Sequence, residues 1–184
     1  MLKPIMTGAA VLLLATTLSA ASDSVDRKDF QVAKDVAASV ERYTQFTIFD
    51  DVNAYVKDGV VTLSGRVTMP YKRSDIEKRV AKVDGVRQVR DDITVLPVSQ
   101  FDDELRYRIA RSIYGNANFW NYAIMANPPI HIVVEHGRVT LTGVVNSNVD
   151  RMLAQSLATQ FGALSVKNAL KTDAEVRDAL ERSE

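Results

Sequence analysis

The chain has 184 residues, with 23 basic and 23 acidic side chains, two histidines and no cysteine. Balanced charge removes the electrostatic footprint of a general nucleic-acid binder. Missing thiols exclude disulfides, cysteine nucleophiles and cysteine-based metal sites, so any exported form rests on its packed core alone.

The first segment, residues 1–21, has a positive start at Lys3, an apolar run from Ala9 to Leu18 and small residues at Ser19-Ala20-Ala21. These are the parts of a secretory signal peptide, and the run is short for a bilayer span. No cysteine follows it, so a lipid-modified N-terminus is not expected. The expected location is periplasmic. The next signal is Val32, Val36 and Val40, the i, i+4, i+8 row of an amphipathic helix. Val52, Ala54 and Val56 then alternate as a half-buried strand. Asp58-Gly59 suits a tight hairpin turn, and Val60 to Val67 alternates again. Thr68-Met69-Pro70 opens a second helix with a capping threonine and a proline near the first position. A short strand is expected over Gly85-Val86-Arg87-Gln88-Val89, and Leu96-Pro97-Val98-Ser99-Gln100 is the one joint.

Past the joint the pattern starts again. Leu105, Ile109 and Ile113 repeat the helix row. Ile130, Ile132 and Val134 repeat the first strand, and His136-Gly137-Arg138-Val139-Thr140-Leu141-Thr142-Gly143 repeats Asp58-Gly59-Val60-Val61-Thr62-Leu63-Ser64-Gly65. Asn146-Ser147 and Asp150 open the matching helix, and Gly162-Ala163-Leu164-Ser165-Val166 the matching strand. Each unit reads helix–strand–strand–helix–strand. The expected fold is α+β: two αββαβ units over 28–97 and 101–172, each a small mixed sheet with two helices on one face. Units this small have marginal cores alone, so they are expected to pack together. Gly59 and Gly137 are turn glycines; Gly65 and Gly143 are expected inside, where a helix lies close to the sheet. Residues 173–184 read as a short helical tail, capped by Thr172 or Asp173 and docked through Val176 and Leu180.

That order, with Gly-Val-Val-Thr-Leu-Ser-Gly and Val-Asp-Gly-Val-Arg-Gln-Val in the first unit, resembles the BON domain. The second unit resembles it through Gly-Arg-Val-Thr-Leu-Thr-Gly and Ala-Leu-Ser-Val-Lys-Asn. The resemblance implies a cell-envelope protein that binds phospholipid surfaces, with the second domain implicated in two-domain members. The soluble, osmotically inducible branch implies stress protection and a chaperone-like role.

The copies differ most between first helix and first strand: eleven residues, Glu41 to Asp51, in unit one against sixteen, Tyr114 to Pro129, in unit two. These connectors hold seven of the thirteen aromatics, namely Tyr43, Phe46, Phe49, Tyr114, Phe119, Trp120 and Tyr122. One explanation is that they fold back into the core, burying Phe46 and Ile48 or Ile124 and Met125. The other is an exposed lip in unit two, where Tyr114, Phe119, Trp120 and Tyr122 meet a membrane interface or a partner's apolar patch, with Arg108 and Arg111 facing phosphates. Lys72, Arg73, Lys78, Arg79 and Lys82 crowd the second helix of unit one and read as a solvated face or an anionic-surface contact.

Catalysis has little to stand on. His131 and His136 read as surface residues with no third metal ligand in sight. There is no Gly-x-Ser-x-Gly elbow, Gly-rich phosphate loop or calcium loop. The expectation is a non-enzymatic protein with no cofactor and no metal. Its partner is an anionic phospholipid surface or, alternatively, envelope or client proteins; no nucleic acid is expected.

Overall fold

The computed structural model describes residues 19–181, so the leader expected over 1–21 lies outside it except for its last residues. Unit one runs α1 (Ser19–Glu41), β1 (Asp51–Lys57), β2 (Val60–Val67), α2 (Pro70–Val80) and β3 (Gln88–Val95). Unit two runs α3 (Gln100–Tyr114), α4 (Trp120–Ala123), β4 (Ile130–Glu135), β5 (Arg138–Val145), α5 (Asn148–Ala158), β6 (Ser165–Asn168) and β7 (Lys171–Thr172), and α6 (Asp173–Glu181) follows. In each unit the central strand pairs antiparallel with the strand before it and parallel with the one after the helix. The two mixed sheets are therefore built alike, as α+β units.

The alternation and the helical rows meet in two cores. Val32, Val36 and Val40 pack on Val61, Leu63, Val67, Ile76, Val80 and Ile93. Leu105, Ile109 and Ile113 pack on Ile130, Ile132, Val134, Val139, Leu141 and Val145. Each such aliphatic side chain taken from water contributes about 1.5–3 kcal/mol before entropy is charged against it.

Both hairpins turn through two left-handed residues, Asp58 and Gly59 at φ 52° and 71°, His136 and Gly137 at 51° and 73°. This is the two-residue turn whose twist matches that of the strands. A helix carboxylate holds each turn. Asp29 accepts from the amides of Asp58 and Gly59 at 2.5 and 3.0 Å, and Asp102 from those of His136 and Gly137 at 2.8 Å each. The turn carbonyl then accepts from the chain entering the third strand, Gly59 from Arg87 and Gly137 from Leu164, both at 2.8 Å.

Two expectations are corrected. Gly65 and Gly143 do not make room for a helix. At φ 127° and 109° each lies against the neighbouring strand, where a Cβ would meet the carbonyl oxygen of Asp51 or Pro129. The third strands also start later than expected, because Gly85 and Gly162 are left-handed turn residues at φ 85° and 77°. β3 then continues to Val95, whereas its counterpart breaks into β6 and β7. The tail helix starts with a reciprocal cap. Thr172 Oγ1 accepts from the Glu175 amide at 3.2 Å, and the Glu175 carboxylate accepts from the Thr172 amide at 2.9 Å. Val176 is half-buried on it.

Asp102→Ala removes two hydrogen bonds at a carboxylate that is only 1% exposed. Urea unfolding should show a loss of about 1–3 kcal/mol, and the His136 and Gly137 amides should lose hydrogen-exchange protection.

Candidate functional site

The sixteen-residue connector of unit two is not loose chain. Asn116 caps a 3-10 turn, Ala117–Phe119, which runs directly into α4. Phe119 turns inward and is fully buried, its ring centroid 5.7 Å from that of Tyr122. The Tyr122 hydroxyl accepts from the Asn146 amide at 2.8 Å and donates to Asp150 at 2.7 Å. Burial, with the Asp150 carboxylate assisting, pushes this phenol up to about 12. Tyr114 is half-buried, and its hydroxyl donates to the Ile130 carbonyl and accepts from the Ile130 amide. Burial raises its pKa as well. Phe119, Tyr122 and Tyr114 thus belong to the frame and present no lip.

Three large apolar side chains of this connector remain outside. Trp120 is 65% exposed, Ile124 64% and Met125 49%. The Ile124 amide donates to the Trp120 carbonyl at 3.2 Å, one helical turn, so these two side chains fall on the same side. The expected burial of Ile124 and Met125 is corrected accordingly. Of the two arginines on α3, Arg108 is tied to Glu104 in an exposed pair at 2.8 Å, while Arg111 has no ion pair among the described residues. The exposed pair holds Arg108 only weakly.

The connector of unit one does something different: it docks on unit two. Ile48 accepts from the Ile132 amide at 2.7 Å, extending the hydrogen-bonded edge of β4. Phe46 lies 5.4 Å from the His131 ring and Phe49 meets Tyr107 edge-on at 5.1 Å. His131 Nδ1 sits 2.6 Å from the Asp50 carbonyl, which can only accept, so Nδ1 carries the proton. Arg66 and Glu135 add a 3.0 Å ion pair across the same boundary. His131 is therefore an interface residue rather than a plain surface one, while His136 stands exposed in its turn.

Below that boundary lies the one buried ion pair among the described residues. Asp50 is fully buried, and Lys72 Nζ reaches it at 2.6 Å. Its carboxylate also accepts from the amides and hydroxyls of Thr47 and Thr68. Burial works against the charge on Asp50, but the bonds from Lys72, Thr68 and Thr47 together outweigh it and hold the carboxyl below its ordinary range. Lys72 is thus removed from the basic face of α2, where Arg73 is paired with Asp91 and Arg79 stacks over Tyr43. Lys78 and Lys82 remain, lining an open cleft of about 790 Å³ between α1 and α2 that Asp35, Asp75 and Asp84 share. The expected basic face is a mixed-charge one. Thr68 serves this network and does not cap α2, whose N-cap residue, Met69, makes no side-chain bond.

Two of these groups left a trace in the sequence. Asp29 and Asp102 stand three residues before the first apolar helix position in both copies, a matched pair that the repeat could have revealed. Asp50 has no such trace, because the 78-residue offset puts Pro128 in its place. Among the described residues no group of three or more His, Cys, Asp or Glu could hold a metal ion, and no helix is long and apolar enough to cross a membrane.

Compared with known proteins, the chain matches the BON domain family twice in tandem, over residues 28–97 and 104–182. No curated protein matches it. Among solved structures it is similar to the C-terminal domain of CdsD, the structural protein of the type III secretion system of Chlamydia trachomatis. There it shows 14% identity and a TM-score of 0.32, covering 77% of this chain and 65% of that one. A second CdsD structure gives 14% identity and a TM-score of 0.28, covering 82% and 97%.

Asp50→Ala leaves the Lys72 ammonium buried without a counter-ion, held only by the Thr68 hydroxyl, and should cost about 3–5 kcal/mol in a denaturant melt. Asp50→Leu combined with Lys72→Met should recover only the part of that loss due to the stranded ammonium, because the Thr47 and Thr68 amides still lack their acceptor. In the parent protein the folded Asp50 carboxyl lies below its unfolded value. Its stabilisation is therefore complete above about pH 4 and is lost as pH falls through the folded value. The double variant should show a shallower acid limb.

Proposed function

We infer the function of this chain from its kinship: it belongs to the BON domain family. It is a non-catalytic protein of the cell envelope, located in the periplasm after loss of its leader. There it attaches to anionic phospholipid surfaces through unit two and serves envelope maintenance or osmotic-stress protection. The observation that carries this reading is the exposure of Trp120, Ile124 and Met125 on the segment where unit two is five residues longer than unit one. An indole suits the boundary between headgroups and acyl chains, and two adjacent aliphatic side chains give it apolar depth. Arg111 supplies weak attraction to phosphate. Apolar insertion and charge are each modest, and useful affinity needs both.

The test is co-sedimentation of the purified protein with vesicles of phosphatidylcholine, with and without phosphatidylglycerol, read together with the emission of its single tryptophan. In buffer Trp120 should emit as a water-exposed indole. On anionic vesicles the emission should move to the blue, and binding should weaken with salt. Trp120→Ala and Ile124→Ser should each abolish the sedimentation without lowering the melting temperature. Unchanged emission on anionic vesicles would sink the lipid reading. A blue shift seen only with an unfolded polypeptide would give the same side chains to a chaperone-like role.

A further inference from the structure

β1 and β4 hold the same place in their units, yet only the outer edge of β4 is capped, with partners for four of its six outward backbone groups. On β4 the outward backbone groups belong to Ile130, Ile132 and Val134. The Tyr114 hydroxyl serves both groups of Ile130, the Ile48 carbonyl takes the Ile132 amide, and the Arg106 guanidinium donates to the Val134 carbonyl at 2.6 Å. Closing an edge in this way keeps other strands from adding to it. On β1 the corresponding residues are Val52, Ala54 and Val56. Their outward groups have no partner among the described residues. The sequence removes each cap. Aligning Val32, Val36 and Val40 with Leu105, Ile109 and Ile113 puts Ala33 where unit two has Arg106, and Glu41 where it has Tyr114. Ile48 itself is spent on β4.

We propose that this open edge pairs with the β1 edge of a second copy of this chain, antiparallel about a two-fold axis at Ala54, so that two sheets become one. The strand, Asp-Val-Asn-Ala-Tyr-Val-Lys, is complementary to itself in that register. Ala54 faces Ala54, Val52 faces Val56, and each facing pair exchanges both of its backbone bonds, because these are the residues whose groups point outward. Asp51 faces Lys57 at each end. Both lie on the solvent side with Asn53 and the 66%-exposed Tyr55, and neither has an ion pair in its own chain among the described residues. Opposite charges directly across antiparallel strands stabilise the pair, and an isologous two-fold contact needs only one such patch.

Sedimentation velocity over a range of protein concentrations tests this. The expected result is a reversible monomer–dimer equilibrium. Ala54→Pro removes an outward amide while leaving the β1–β2 ladder intact, and should shift the protein to monomer. Asp51→Lys sets like charges against each other and should weaken the dimer about tenfold. The swap Asp51→Lys with Lys57→Asp should restore it, which a merely structural role for either residue would not predict. If Ala54→Pro does not fold, the charge variants decide alone. A monomer at every concentration would overturn the proposal, and so would a dimer indifferent to Asp51→Lys. A monomer whose Ala54 amide gains exchange protection only when an extended peptide is added would overturn it too, and would assign the edge to another protein.

Discussion

Each unit depends on a turn that most residues cannot make. Two consecutive left-handed positions reverse the chain between its first two strands, and a single helix carboxylate takes both amides that the reversal exposes. The same turn offers its carbonyl to the chain entering the third strand. One point in the fold therefore fixes the hairpin register, the seat of the first helix and the start of the parallel strand. A slip of one residue there would exchange the buried and exposed faces of the central strand. That explains why the turn geometry and its carboxylate recur in both units.

Away from this point the copies solve shared problems differently. The backbone amide where the second helix of each unit begins, at Thr68 or Asn146, needs an acceptor. In unit one a buried aspartate from the connector supplies it and is neutralised by Lys72. In unit two the Tyr122 hydroxyl supplies it, and the position of Lys72 is taken by Asp150, which accepts from that hydroxyl. The ionic version is costly to desolvate and tolerates no single loss. The phenolic version avoids a buried charge and brings a ring into the core, which accounts for part of the aromatic enrichment of the connector.

The connectors also settle how the units sit together. That of unit one runs out to the edge of β4 and carries Phe46, Ile48, Phe49 and the Asp50 carbonyl to unit two. That of unit two spends Phe119, Tyr114 and Tyr122 on its own core and leaves Trp120, Ile124 and Met125 in solvent. One enriched composition thus has two outcomes, an internal interface and an external surface.

The sequence by itself determined the two αββαβ units, their strand pairs and turns, and the apolar rows of α1 and α3. All of these follow from local periodicity and from a motif repeated in register. It could not say which aromatics are inside. Phe119 and Trp120 are neighbours in the chain, and a change in backbone direction between a 3-10 turn and a helix sends one to the core and the other to water. Nor could it place Lys72 beside Asp50, 22 residues away, or Arg106 on the edge of β4. Those pairings join groups distant in sequence through desolvation and hydrogen bonding. Such forces act only once the helices have closed on the sheets, so tertiary structure alone decided them.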